Sequence, residues 1–196
     1  MEDRSPNRMH SALSAWLLAA GIACSAAGTF GGVCVDPPSN LLCLNWAVDA
    51  GNITFSATCM PPPGMNTTFW CAFGVSTAST GDMFPADVVA VQSTASGFWL
   101  EDRDSFIGYR SPPCYATQLS YLLNASLMLG ALRAAWTRPL TVSSDLLQQH
   151  YQSILTGGQG MTLIAASSAD TSAAVQRCNP DMQLHTYCVP GIRVYF

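Results

Sequence analysis

The sequence predicts an all-β fold, an antiparallel β-sandwich forming one domain behind an N-terminal leader. Three observations predict it. Residues Asn52–Cys59 alternate, with Ile53, Phe55, Ala57 and Cys59 on one face and Asn52, Thr54, Ser56 and Thr58 on the other, the period of a half-buried antiparallel strand. Phe69–Gln92 reads as strand, loop, strand: an aromatic apolar run, then small polar residues and turn formers, then the β-branched run Asp87–Gln92. Apolar runs also recur roughly every ten residues with turn signals between them, the spacing of a sandwich or barrel.

The elements follow in order. Residues 1–28 have the shape of a secretory signal peptide: Arg4 and Arg8, the apolar run Ala12–Ala23, then the small residues Ser25–Gly28 after Cys24. The run is short for a membrane span, and no span beyond the leader is expected. Residues 29–41, with Gly31-Gly32 and Pro37-Pro38, read as an irregular lead-in to a domain over 42–196. Leu42–Val48 is a first strand and forms a hairpin with Asn52–Cys59 through a turn at Asp49–Asn52. The prolines of 61–63 end that strand, because proline cannot pair in a central position. Phe69–Val75 and Asp87–Gln92 come next, then Phe98–Glu101 after a Ser-Gly turn, then a charged loop over Asp102–Cys114. Gln118–Trp136 is ambiguous, since its Leu, Ala and Met content favours helix by propensity. Ser144–His150 forms one short helix with Ser144 as its N-cap. Met161–Ser167 is a strand, Asp170–Cys178 a loop or short helix, and Ile192–Phe196 a last strand.

Composition narrows the function. A net charge of −4, with no Lys, argues against a nucleic-acid partner. Three Asn-x-Ser/Thr sequons, at Asn52, Asn66 and Asn124, agree with export as candidate glycosylation sites. So do the cysteines. Cys24 leaves with the leader, so Cys34, Cys43, Cys59, Cys71, Cys114, Cys178 and Cys188 are the disulfide candidates, three bridges and one odd thiol. Their connectivity is open; Cys59–Cys71 and Cys178–Cys188 are the local possibilities. The expected location is therefore secreted, or the lumen of the secretory pathway. Beyond the leader only His150 and His185 remain. There is no G-x-S-x-G elbow for a hydrolase, too few imidazoles for a copper monooxygenase, no C-x-x-C for zinc and no C-x-x-C-H for covalent haem. No catalytic motif is found, and an enzyme is not expected.

In their order and spacing, Trp70–Ser76, Met83, Ala86–Val91 and Arg138-Pro139-Leu140 resemble the DOMON domain family, a likeness that runs over residues 42–196. The resemblance implies an immunoglobulin-like antiparallel β-sandwich that binds haem or sugars. It also reads the ambiguous segment as two strands, Gln118–Met128 and Ala131–Thr137, hinged at Gly130. In the haem-binding branch, which includes the cytochrome domain of cellobiose dehydrogenase, a Met from this loop and a His near the domain's end ligate the iron. The matching positions are Met83 and His185. The resemblance thus implies non-covalent haem b and extracellular one-electron transfer, with a separate redox protein or a small-molecule donor or acceptor as partner. The alternative is a haem-free module that binds carbohydrate or another protein, with Met83 as plain packing and His185 on the surface.

Other residues keep two readings. Trp70, Phe73, Trp99, Tyr109 and Trp136 either line a haem pocket or fill the core. Glu101–Asp104 is a solvated acidic loop, or a docking rim for a cationic partner. Arg138 is structural or contacts a propionate. His150, in a polar stretch, is expected to be exposed, and Met182 sits too close to His185 to serve as the opposite ligand.

Overall fold

The computed structural model describes residues 30–35, 42–60, 69–77, 86–104, 117–157, 159–168 and 187–196. The strands are β1 (Phe30–Val35), β2 (Leu42–Asp49), β3 (Asn52–Cys59), β4 (Phe69–Ser76), β5 (Asp87–Thr94), β6 (Gly97–Asp104), β7 (Tyr121–Met128), β8 (Ala131–Pro139), β9 (Gly160–Ser168) and β10 (Tyr187–Tyr195). One helical turn, α1 (Ser144–Leu147), follows β8. Two five-stranded antiparallel sheets form: sheet A in the order β1-β2-β3-β8-β7, and sheet B in the order β10-β9-β4-β5-β6. The predicted sandwich is present.

Local chemistry sets the hairpins. β3 buries Ile53, Phe55, Ala57 and Cys59 and turns Asn52 and Ser56 to solvent, as its alternation requires. The β7–β8 turn places Leu129 at φ 52° and Gly130 at φ 78°, the two left-handed residues of a turn whose twist matches that of its strands. So Gln118–Trp136, with its helical propensity, is a hairpin: cross-strand pairing of a buried face overrides propensity.

Where the structure departs from the sequence reading, long-range pairing is the cause. Residues 30–35 are a strand, not an irregular lead-in, paired to β2 throughout and tied to it by the Cys34–Cys43 disulfide. Gly31 lies so close beneath Trp46 that an added Cβ would sit 2.4 Å from the indole ring, so the glycine signals close approach rather than a loop. β6 runs on to Asp104, and the helix cap is Ser143 with no side-chain cap bond.

The core lies between the sheets. Trp136 stacks on Phe55 with centroids 5.5 Å apart and meets Phe73 at 5.9 Å. Phe196 closes the layer against Trp46 at 5.0 Å and Phe55 at 6.1 Å. The Cys59–Cys71 disulfide, one of the two local pairs considered, joins β3 to β4 and so links the sheets.

Candidate functional site

The two sheets differ on their outward faces. Sheet A turns polar residues out, and Asn45, Asn52, Ser56 and Arg133 are exposed, as expected of a sheet with one wet side. Sheet B does not. Every residue of β4 is buried, and so is β5 from Asp87 to Ser93. Near-continuous burial marks strands covered on both faces.

The register shows what the second face of sheet B is made of. One row across the sheet is Trp70, Gln92 and Trp99; the next is Ala72, Ala90 and Glu101; the next is Ile164, Gly74, Val88 and Arg103. Trp70, Ala72, Ala86, Val88, Ala90 and Ile164 form an apolar cluster of their own, separate from the core. Its members come from sheet B and the residue that leads into it. The floor is flat because its middle is small: an added Cβ on Gly74 would lie 2.7 Å from Ile164 and 3.1 Å from Val88. Along the β6 side runs a buried ion pair, Arg103 Nη2 to Glu101 Oε2 at 2.7 Å. The face therefore offers an apolar plane edged by a guanidinium and a carboxylate.

Between the sheets the described residues pack closely. A cavity of about 10 Å³ lies there, lined by residues that include Phe73, Asp87, Trp136, Arg138 and Leu163. Ligand pockets run to about 300–1,000 Å³. At one end of this layer Arg138 Nη2 donates to Asp87 Oδ2 at 2.9 Å and to the Gln152 carbonyl at 2.9 Å, and the Gln152 N–H donates back to Asp87 at 3.2 Å. Burial pushes the Asp87 carboxyl above the usual carboxylate range; the Arg138 charge and these hydrogen bonds pull against it, while nearby Asp102 adds to the rise. Asp102 Oδ2 accepts the N–H groups of Leu119 and Ser120 at 2.5 and 2.7 Å. Tyr151 Oη accepts the Thr117 N–H at 2.9 Å and donates to the Thr117 carbonyl at 2.6 Å. These groups fasten the segments before β7 and after α1 to the sandwich.

Several expectations are thereby corrected or placed. Glu101, Asp102 and Arg103 are buried in a strand, not a solvated loop or an accessible docking rim. Arg138 faces the interior and is held by Asp87, as the structural reading of it expected. Phe73 and Trp136 are core, Trp70 belongs to the second face of sheet B, and Trp99 is half-buried. His150 is half-buried with φ 71°, not exposed. Asn52 and Asn124 are exposed, and Cys188 lies in β10. Met83, His185, Met182, Asn66, Tyr109, Cys114 and Cys178 lie outside the described residues. Arg103 and Glu101 were missed because a charged run reads as surface. The usable signal was the tight Ala95-Ser96 turn, which sets residues 97–104 in register against β5.

The anchors of the two ligand candidates can be placed. Asp87, four residues after Met83, pairs with Val75 near the end of β4. Tyr187, two residues after His185, pairs with Ser167, which pairs with Cys71 near its start. At ~3.3 Å per residue and ~4.8 Å per strand, these anchors stand about 19 Å apart. Among the described residues, no group of three His, Cys, Asp or Glu side chains gathers to hold a metal ion, and no helix is long and apolar enough to cross a membrane.

No protein-family model matches the chain, and no curated protein sequence matches it. Among solved structures the chain is similar to the cytochrome domain of Myriococcum thermophilum cellobiose dehydrogenase. The TM-score is 0.59 at 13% identity, over 84% of this chain and 81% of that one. The chain has the fold of that domain.

Proposed function

We propose that this chain is a secreted DOMON-type protein that binds haem b non-covalently and carries single electrons outside the cell. The observation that carries the reading is the second face of sheet B: it is apolar, flat and buried, and the segments bearing Met83 and His185 both join strands of this sheet. The likeness to a cytochrome domain and the two disulfides support it. The described residues fit a planar group: Ala72, Gly74, Val88, Ala90 and Ile164 would form its floor, and Arg103, on the neighbouring strand of the same face, could meet an acidic substituent. Met83 and His185 would be the axial ligands. A Met/His-ligated haem leaves no open iron position and exchanges one electron at a raised potential. The exchange partner is a separate redox protein or a small-molecule donor or acceptor.

The test is the visible spectrum of the secreted protein, oxidised and then reduced with dithionite, beside Met83→Ala and His185→Ala variants. The expected result is a Soret band with sharp α and β bands on reduction, degraded in both variants. A colourless protein that takes up no added haemin overturns the reading and turns attention to carbohydrate binding on the same face.

A further inference from the structure

A sheet edge exposes unpaired backbone groups, and exported proteins blunt such edges with charge, proline, bulges or cover. Among the described residues, two of the four edges carry charge or proline. β6 holds Glu101, Asp102, Arg103 and Asp104. β10 holds Pro190 and a register break between Val189 and Ile192. β1 has neither, and is cross-linked to its neighbour β2 by Cys34–Cys43. β7 differs. Its sequence, Tyr-Leu-Leu-Asn-Ala-Ser-Leu-Met, has neither charge nor proline, and among the described residues β8 is its hydrogen-bonded partner on one side only. It exposes large apolar side chains: Leu123 is 59% exposed, Met128 49% and, in the following turn, Leu129 97%. In the middle of that edge stands Asn124, exposed, beside the bulge between Leu122 and Asn124 and at the head of the sequon Asn124-Ala125-Ser126.

We infer that Asn124 carries an N-linked glycan and that this glycan is the device that keeps the β7 edges of two chains from pairing. The modification uses a lipid-diphosphate-linked oligosaccharide. Asn124 Nδ2 bonds to C1 of the sugar as the bond from C1 to the diphosphate oxygen breaks; the lipid diphosphate leaves and the amide gives up one proton. Asn124 and Ser126 pair with Ala135 and Arg133 on the outward face of sheet A, so the glycan projects across solvent beside Leu123 and Met128. Without it, two β7 strands would meet with exposed apolar side chains and no opposing charge. The inference rests on export but not on haem.

The test compares the secreted protein with Ser126→Ala, which keeps Asn124 but destroys the sequon, and with Asn124→Gln. Peptide mass mapping after enzymatic removal of sugar, which leaves Asp in place of glycosylated Asn, should report position 124. Light scattering should show one chain for the native protein and a concentration-dependent rise toward two for both variants. Trimming the glycan from the folded native protein to one sugar should produce the same rise with no folding step. Adding Leu123→Lys to Ser126→Ala should restore the single chain, since a charge does the work of the sugar. Sugar at Asn52 or Asn66 but not at Asn124 overturns the inference and leaves export intact; sugar at none of the three overturns the inference as well. Glycan-free chains that stay single at every concentration overturn the role assigned to the edge.

Discussion

Removing Arg138 should destabilise the protein severely, and removing its partner with it should not. Arg138 and Asp87 are each at most 2% exposed and meet at 2.9 Å. Arg138→Met leaves a buried carboxylate with one backbone hydrogen bond, from Gln152, and frees the Gln152 carbonyl as well. Breaking a buried pair in this way costs about 3–5 kcal/mol, whereas replacing both members by apolar residues of similar size is often neutral or better. With a urea dependence near 2 kcal/mol per M, the single variant should lose about 2 M in its midpoint. Asp87→Leu/Arg138→Met should come within roughly 1 kcal/mol of the native chain. The loss should also depend on pH. Asp87 has a folded-state pKa above its unfolded value, raised by burial. Its contribution is therefore full below the unfolded pKa and is lost as pH rises through the folded one. Without Arg138 that folded pKa rises further, so the deficit of Arg138→Met should be smallest in acid and grow toward neutral pH. Urea titrations of the disulfide-intact chain at several pH values check this. Effects that simply add in the double variant, or a deficit that is flat with pH, would refute the reasoning.

Two other outcomes follow from the geometry. Gly74→Val should cost about 1–3 kcal/mol by overpacking against Ile164 and Val88; it should also weaken haemin uptake beyond what the lost stability explains, read by titration at a denaturant-free temperature well below unfolding. Tyr151→Phe removes both hydrogen bonds to Thr117 and should cost about 1–2 kcal/mol. Because burial raises the Tyr151 pKa, its contribution is lost as pH rises above the ordinary tyrosine range, so the native protein and Tyr151→Phe should converge in alkaline denaturation curves.

The sequence by itself determined the strands whose periodicity is local. Asn52–Cys59 alternates because one face is wet, Phe69–Val75 and Asp87–Gln92 are apolar because both faces are dry, and the Cys59–Cys71 bridge was legible as a short-range pair. The axial-ligand candidates Met83 and His185 came from resemblance alone. What only the tertiary structure decided depends on partners far along the chain. Phe30–Val35 is a strand because β2 offers its edge and Trp46 needs glycine beneath it. Glu101 and Arg103 are buried because the Ala95-Ser96 turn folds β6 against β5, where each neutralises the other. Arg138 turns inward because Asp87, 51 residues away, waits for it. The apolar second face of sheet B is a property of four strands in register, and a sequence read one residue after another carries the residues of that face but not their adjacency.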